Sequence, residues 1–284
     1  MSRVPMEIIN RIPRMTSIAR ELRSSGKRTG LVPTSGGLHE GHLSLATRAR
    51  ELCDAVTLSI LAPLADESAV EVDLPRDAEL ASTRGVDYLF APSYEEMFPE
   101  GFSTTVIVRG LSEKLEGAGQ PGYLNDIATA TTKLLNIVRP HFVFFGMKHP
   151  QRVLIAKQLI KDLSMDTELV ACPTVREEDG LALSSSNVLL NTQERKAATA
   201  LRRALDRCQS AYNEGERDSA RLIDAMRSVI EAEPLAHVDY IAITDIERLD
   251  SVAVVPASDP TLVSLSVYVG ATRLTDSIVF NDGL

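Results

Sequence analysis

Val32-Pro33-Thr34-Ser35-Gly36-Gly37-Leu38-His39-Glu40-Gly41-His42 lies between a strand-like apolar run and a helix-like one, and that placement decides the fold. Upstream, Met15, Ile18, Ala19 and Leu22 recur at helical spacing and stop at Ser24-Ser25-Gly26. The short apolar run Thr29-Gly30-Leu31-Val32 follows, so a helix feeds a strand. Downstream, residues 43–52 resume the helical pattern. Small residues at such a junction let backbone approach a phosphate. Two histidines flanking a glycine would then sit at a helix N-terminus, where free N–H groups and the helix dipole favour an anion. A glycine-rich turn with two exposed histidines is the competing reading, and placement after a strand favours the anion site.

Further buried-strand candidates are residues 55–62, 87–91, 142–146 and 169–172, separated by helical patterns such as 43–52 and 153–163. Strands alternating with helices imply parallel βαβ units with ligands at the carboxyl ends of the strands. After Asn191 two polar, charged helices (192–213 and 218–232) precede strand-like segments at 238–244 and 262–269. The expected architecture is therefore α/β, with a Rossmann-like parallel-sheet domain over residues 1–176 and a smaller C-terminal α+β domain over 177–284. Residues 174–187 read as a loop serving both.

The chain of 284 residues carries 30 Lys and Arg against 39 Asp and Glu, and its net charge of -9 gives no electrostatic reason to expect a nucleic-acid partner. The first 13 residues mix Arg3, Glu7 and Arg11 with apolar residues, without the apolar centre of a signal peptide, and no apolar run approaches membrane-spanning length. A cytoplasmic protein without membrane attachment is expected. Cys53, Cys172 and Cys208 are widely spaced and form no Cys-x-x-Cys pair, so three reduced structural thiols are expected rather than a disulfide framework or a zinc site.

Two more segments carry chemistry. Gly146-Met147-Lys148 follows the apolar strand 142–145, so its lysine projects at the same strand-end face and can neutralise phosphate oxygens as a mobile point charge. Residues 173–187 contain Asp179-Gly180 and Ser184-Ser185-Ser186, turn formers whose hydroxyls and N–H groups suit a phosphate-binding loop. With these in place the chain resembles the pantothenate synthetase (pantoate–β-alanine ligase) family. The resemblance covers Val32 through Leu43, Lys133-Leu134-Leu135-Asn136-Ile137-Val138-Arg139-Pro140, Arg176 through Asn187, and Gly270-Ala271-Thr272-Arg273-Leu274-Thr275-Asp276.

The resemblance implies a nucleotidyltransferase-type fold and an ATP-dependent carboxylate–amine ligase that proceeds through an acyl-adenylate in pantothenate biosynthesis. By the same resemblance His39, His42 and Lys148 are catalytic, on ATP phosphates and the adenylation transition state. Pro33, Thr34, Gly41, Gly146, Val175, Ser184 and Ser185 bind ATP, and Ser35, Asp66, Gln151 and Arg152 line the acid pocket. ATP arrives with Mg²⁺, no metal ligand is assigned, and the partners are a small carboxylic acid, an amine and a second copy of the chain in a homodimer.

Departures from the family cluster near the acid. Ser35 stands for the family's Met, and Leu61-Ala62-Pro63-Leu64-Ala65-Asp66-Glu67 for Phe-Val-Asn-Pro-x-Gln-Phe. Gly146-Met147-Lys148-His149-Pro150-Gln151-Arg152 stands for Gly-Glu-Lys-Asp-x-Gln-Gln, and Gln120-Pro121-Gly122-Tyr123-Leu124-Asn125-Asp126 for Arg-Pro-Gly-His-Phe-x-Gly. Ser186 replaces an arginine in the serine loop. Unpaired buried polar groups cost about 1–3 kcal/mol each, so two lost glutamines would weaken pantoate use by roughly a hundredfold. Three alternatives to the family reaction follow: a paralogue ligating another acid or amine, a nucleotidyltransferase that stops at its first product, and a non-catalytic homologue.

Overall fold

Residues 29–34 are buried or nearly so throughout, and a strand apolar on both faces settles only in a sheet covered by helices. In the computed structural model, which describes residues 5–61 and 72–281, that sheet has six parallel strands: β1 (Glu7–Ile9), β2 (Thr29–Thr34), β3 (Ala55–Ile60), β4 (Tyr88–Phe90), β5 (Phe142–Gly146) and β6 (Glu168–Cys172). Their order is β1-β4-β3-β2-β5-β6. The register runs from Thr29↔Ala55 to Thr34↔Ile60 between β2 and β3, and pairs Gly30 with Phe142 between β2 and β5. From β2 the chain builds outward through β3 and β4, then returns to lay β5 and β6 on the other side. The crevice at the carboxyl ends of β2 and β5 is thus the topological switch point, where open α/β sheets bind ligands.

Helices α1 (Ile12–Ser24), α2 (Glu40–Leu52), α3 (Leu74–Thr83), α4 (Tyr94–Met97), α5 (Glu116–Gly119), α6 (Tyr123–Val138) and α7 (Pro150–Asp162) complete this domain. The spacing in α1 buries the four residues it predicts, Met15, Ile18, Ala19 and Leu22. One face of the sheet packs Val32, Val56, Leu58 and Leu89 against Leu43 and Ala46 of α2. The other packs Leu31, Phe90 and Val143 against Ile18 of α1 and Leu134 of α6. Cys53, Cys172 and Cys208 are buried free thiols, and burial pushes Cys208 up to about 12.

A short 3-10 turn (Ser185–Leu189) leads to α8 (Thr192–Ala197), α9 (Ala200–Asn213) and α10 (Ser219–Glu231), then to the antiparallel sheet β7 (Ala236–Asp245), β8 (Thr261–Val269) and β9 (Thr272–Phe280). Leu205, Leu222 and Met226 of the helices bury themselves against Val263, Leu265 and Phe280. The single helix expected over 192–213 is two, because Thr199 and Leu201 donate to Lys196 and Ala198, and such i→i+3 bonds tighten the turn between α8 and α9. β9 was not expected, since its buried Asp276 and Ser277 break the apolar alternation by which strands are read.

The two domains are joined by apolar and ionic contacts. Ile246, Leu249 and Leu262 pack on Tyr123, Leu124 and Leu154. Arg176 makes a bidentate pair of 2.6 and 2.9 Å with the buried Asp276, and Ser277 Oγ donates to the Met147 carbonyl at 3.0 Å.

Candidate active site

The turn after β2 sets the first wall of a cleft of about 680 Å³ lying over the switch point. Gly36 has φ +93°, and a Cβ there would stand 2.8 Å from Val72 Cγ2, so glycine is required by both conformation and space. His39 then caps α2 in extended conformation, its Nδ1 accepting from Gly41 N at 3.1 Å. That bond assigns the ring proton to Nε2. One turn on, His42 lies against it, with ring centroids 4.1 Å apart and planes tilted by 35°.

Both imidazoles are neutral at physiological pH. Burial first, then the charges of Lys148 and Arg76, lower His39 to about 4. Burial, His39, Lys148 and Arg152 lower His42 to about 3. Each can therefore donate one hydrogen bond without carrying net charge, beside the N-terminus of α2. His42 Nδ1 has no hydrogen-bond partner among the described residues.

β5 supplies the second wall. Lys148, two residues beyond it, directs Nζ to Ser184 Oγ at 3.2 Å and to His149 Nε2 at 3.3 Å. Burial, with Lys148, Arg152, His42 and Arg273 adding to it, holds His149 well below the ordinary histidine range, so its Nε2 is an acceptor for the ammonium. Ser184 Oγ also accepts from Ser186 N at 3.2 Å, which ties the serine loop to the lysine. Among the described residues lining the cleft, the one carboxylate is Glu116, and it meets Arg273 of β9 at 3.3 Å. The remaining charge of the lining is positive, which suits polyanionic phosphates.

The structure brings together most of the residues singled out above. Pro33, Thr34, Ser35, His39, Gly41 and His42 line the cleft from the β2 side. Gly146, Lys148 and Arg152 line it from the β5 side, and Val175, Ser184 and Ser185 from the segment between domains. Asp66 lies outside the described residues.

Gln151, expected in the acid pocket, is turned away from the cleft. Its Oε1 accepts from Glu116 N at 3.2 Å and its Nε2 donates to the carbonyls of Leu111 and Lys114 at 2.6 and 2.7 Å. The reason is helical phase: consecutive residues in the first turn of α7 point about 100° apart, so Arg152 faces the cleft and Gln151 faces the 111–116 segment. Arg152 Nη2 donates to the Tyr123 hydroxyl, with the guanidinium carbon 5.5 Å from the ring centroid. Sequence reasoning missed Glu116, Arg273 and Asp77. Arg273 falls in the run 270–276 but was given no role there, and the partners that place these side chains, Gly37 for Asp77 and Asp239 and Glu116 for Arg273, lie 34 or more residues away.

Comparison with known proteins agrees with this geometry. The sequence model of the family described as Pantoate-beta-alanine ligase matches residues 7–279. The chain is 44% identical over 283 residues to the pantothenate synthetase of Pelotomaculum thermopropionicum, covering 96% of this chain and 99% of that one. It is 45% identical over 280 residues to that of Heliobacterium modesticaldum, with the same coverage. The crystal structure of pantothenate synthetase from Thermus thermophilus superposes with a TM-score of 0.87 at 35% identity, over 96% of this chain and 99% of that chain. Pantoate-beta-alanine ligase from Francisella tularensis, complexed with beta-gamma ATP and beta-alanine, superposes with a TM-score of 0.75 at 27% identity, over 98% of this chain and 99% of that chain.

Proposed function

The chain belongs to the pantoate–beta-alanine ligase family, and from that premise we propose that it joins pantoate to β-alanine in two half-reactions within this cleft. In the first, a pantoate carboxylate oxygen attacks the α-phosphorus of ATP, the bond to the β-phosphate oxygen breaks, and diphosphate leaves. In the second, the unprotonated amine of β-alanine attacks the acyl carbon, AMP departs with the bonding pair, and the amine proton is released. Magnesium enters with the nucleotide as part of the substrate.

The observation that carries this reading is the convergence of His39, His42, Lys148 and Ser184 on one face of the switch point. Charge grows on the bridging oxygen as diphosphate leaves, and preorganised donors aimed at developing charge are typically the largest contribution to such catalysis. His39 donates from Nε2, Lys148 supplies the mobile positive charge, and Ser184 and Ser185 close over the triphosphate. Pro33, Thr34, Gly41, Gly146 and Val175 form the nucleotide site, while Ser35 and Arg152 face the acid. The division at 176/177 separates the domain that binds substrates from the one that covers them. The family resemblance supports a cytoplasmic homodimer.

The test is exchange of labelled pyrophosphate into ATP. Exchange should require pantoate, AMP release should require β-alanine as well, and His39→Ala or His42→Ala should lower exchange by about 10²–10³. Absence of pantoate-dependent exchange in the wild-type protein would overturn the reading.

A further inference from the structure

We propose that Asp77 is a positioning residue for the catalytic histidine motif. Its carboxylate is fully buried in the first turn of α3, whose start is set by the Asp73 cap and Pro75. One oxygen accepts from Gly37 N at 2.8 Å and the other from Leu38 N at 2.9 Å. The neighbouring Arg76 contributes twice, with Nη1 3.4 Å from the Asp77 carboxylate and Nη2 donating to the Leu38 carbonyl at 3.3 Å. Two adjacent side chains of α3 therefore hold the two residues directly before His39.

The backbone explains why a carboxylate is needed. Gly36 and Gly37 both have positive φ, +93° and +60°, and a turn of this kind points successive N–H groups into one concavity that attracts an anion. The sequence suggested that this concavity receives a phosphate. In the structure its N–H groups at 37 and 38 are taken by Asp77, so this part of the turn serves a clamp and the lining of the cleft passes from Gly36 directly to His39. Leu38, gripped at both N–H and carbonyl, is fully buried, and the next residue turns its ring to the cleft as the α2 cap. Removing the acceptor would leave two inward N–H groups without a partner, free the turn, and let the His39 ring drift from the geometry that adenylation needs. The residue acts through His39 and does not line the cleft, so its loss should be felt in rate before binding.

This inference rests on the adenylation reading, and its test separates the two. Asp77→Asn keeps the shape but can accept only one of the two bonds, while Asp77→Ala keeps neither. In the full-length protein the Asn variant should fold, retain the wild-type KM for ATP, and form acyl-adenylate at least tenfold more slowly. The imidazole nitrogen resonances of His39 and His42 should shift without any substrate present. Asp77→Ala should lose more rate than Asp77→Asn. A folded Asn variant with wild-type adenylation and unchanged imidazole resonances would overturn the proposal. Failure of that variant to fold would overturn it too, since the carboxylate would then be structural. Lack of exchange in the wild-type protein would instead sink the adenylation reading and leave the imidazole readout to judge Asp77.

Discussion

Alanine at position 41 would place a methyl carbon 2.8 Å from Cε1 and 2.9 Å from Nδ1 of His39, with Leu183 Cβ next at 3.8 Å. The imidazole is the group that must yield, because it is the one in hard contact and it can rotate into the cleft. Rotation breaks the bond from Gly41 N to His39 Nδ1, worth about 1 kcal/mol. Alanine in place of glycine within a helix returns roughly 0.5–1 kcal/mol, so global stability should stay within about 1 kcal/mol of wild type. Rate should not. Displacing a positioned group by about 1 Å lowers catalysis on the order of 10²-fold. Gly41→Ala should therefore melt near the wild-type temperature and yet form acyl-adenylate about a hundredfold more slowly in single-turnover experiments. In a His39→Ala background the same change should have little further effect, since both act through one ring. Wild-type adenylation by Gly41→Ala, or full additivity with His39→Ala, would refute the placement of His39 as the donor.

Lys148→Ala should slow acyl-adenylate formation by about 10²–10³ and transfer from preformed acyl-adenylate far less; equal slowing of both steps would contradict a role on the ATP phosphates. Asp276→Ala leaves Arg176 facing a buried gap and should lower stability by about 3–5 kcal/mol in urea titration; a loss under about 1 kcal/mol would show that the ion pair is not what holds β9 to the linker. The lowered His39 and His42 make stability pH-dependent with a definite sign. The unfolded chain takes up protons near 6.5 while the folded one does not, so stability is complete above that value and falls as pH drops toward about 4. Each ring should contribute about 1 kcal/mol of that loss by pH 5, allowing for its edge on the cleft. His42→Asn should flatten the fall between pH 7 and pH 5, and an unchanged slope would argue against the buried neutral ring.

Local features were legible because their physics is local. The spacing of Met15, Ile18, Ala19 and Leu22 predicted the buried face of α1, and the apolar run at 29–32 predicted a strand buried on both sides. The end of β2 and the start of α2 fall where the glycine-rich motif lies, so the candidate histidines stand at the strand end that opens on the cleft. β1 and β9 were missed for different reasons. β1 spans three residues, too few to show a period. β9 directs Asp276 and Ser277 to partners across the domain junction, so its interior is polar where a strand pattern is expected to be apolar.

The sequence by itself determined the kind of sheet, the order of the motifs along the chain and most of the candidate groups that line the cleft, because periodicity, glycine placement and residue type need no distant partner. Only the tertiary structure decided which of two neighbours faces the cleft. Gln151 is withdrawn because the 111–116 segment folds over it and uses both ends of its amide, while Arg152, about 100° around the helix, is left to the cleft. Only the fold, likewise, brought Asp77 to Gly37 across 40 residues, and Arg273 to Glu116 across 157. A hydrogen bond depends on position to within a few tenths of an ångström, and that position is set by the packing of whole helices and sheets on one another rather than by the residues on either side.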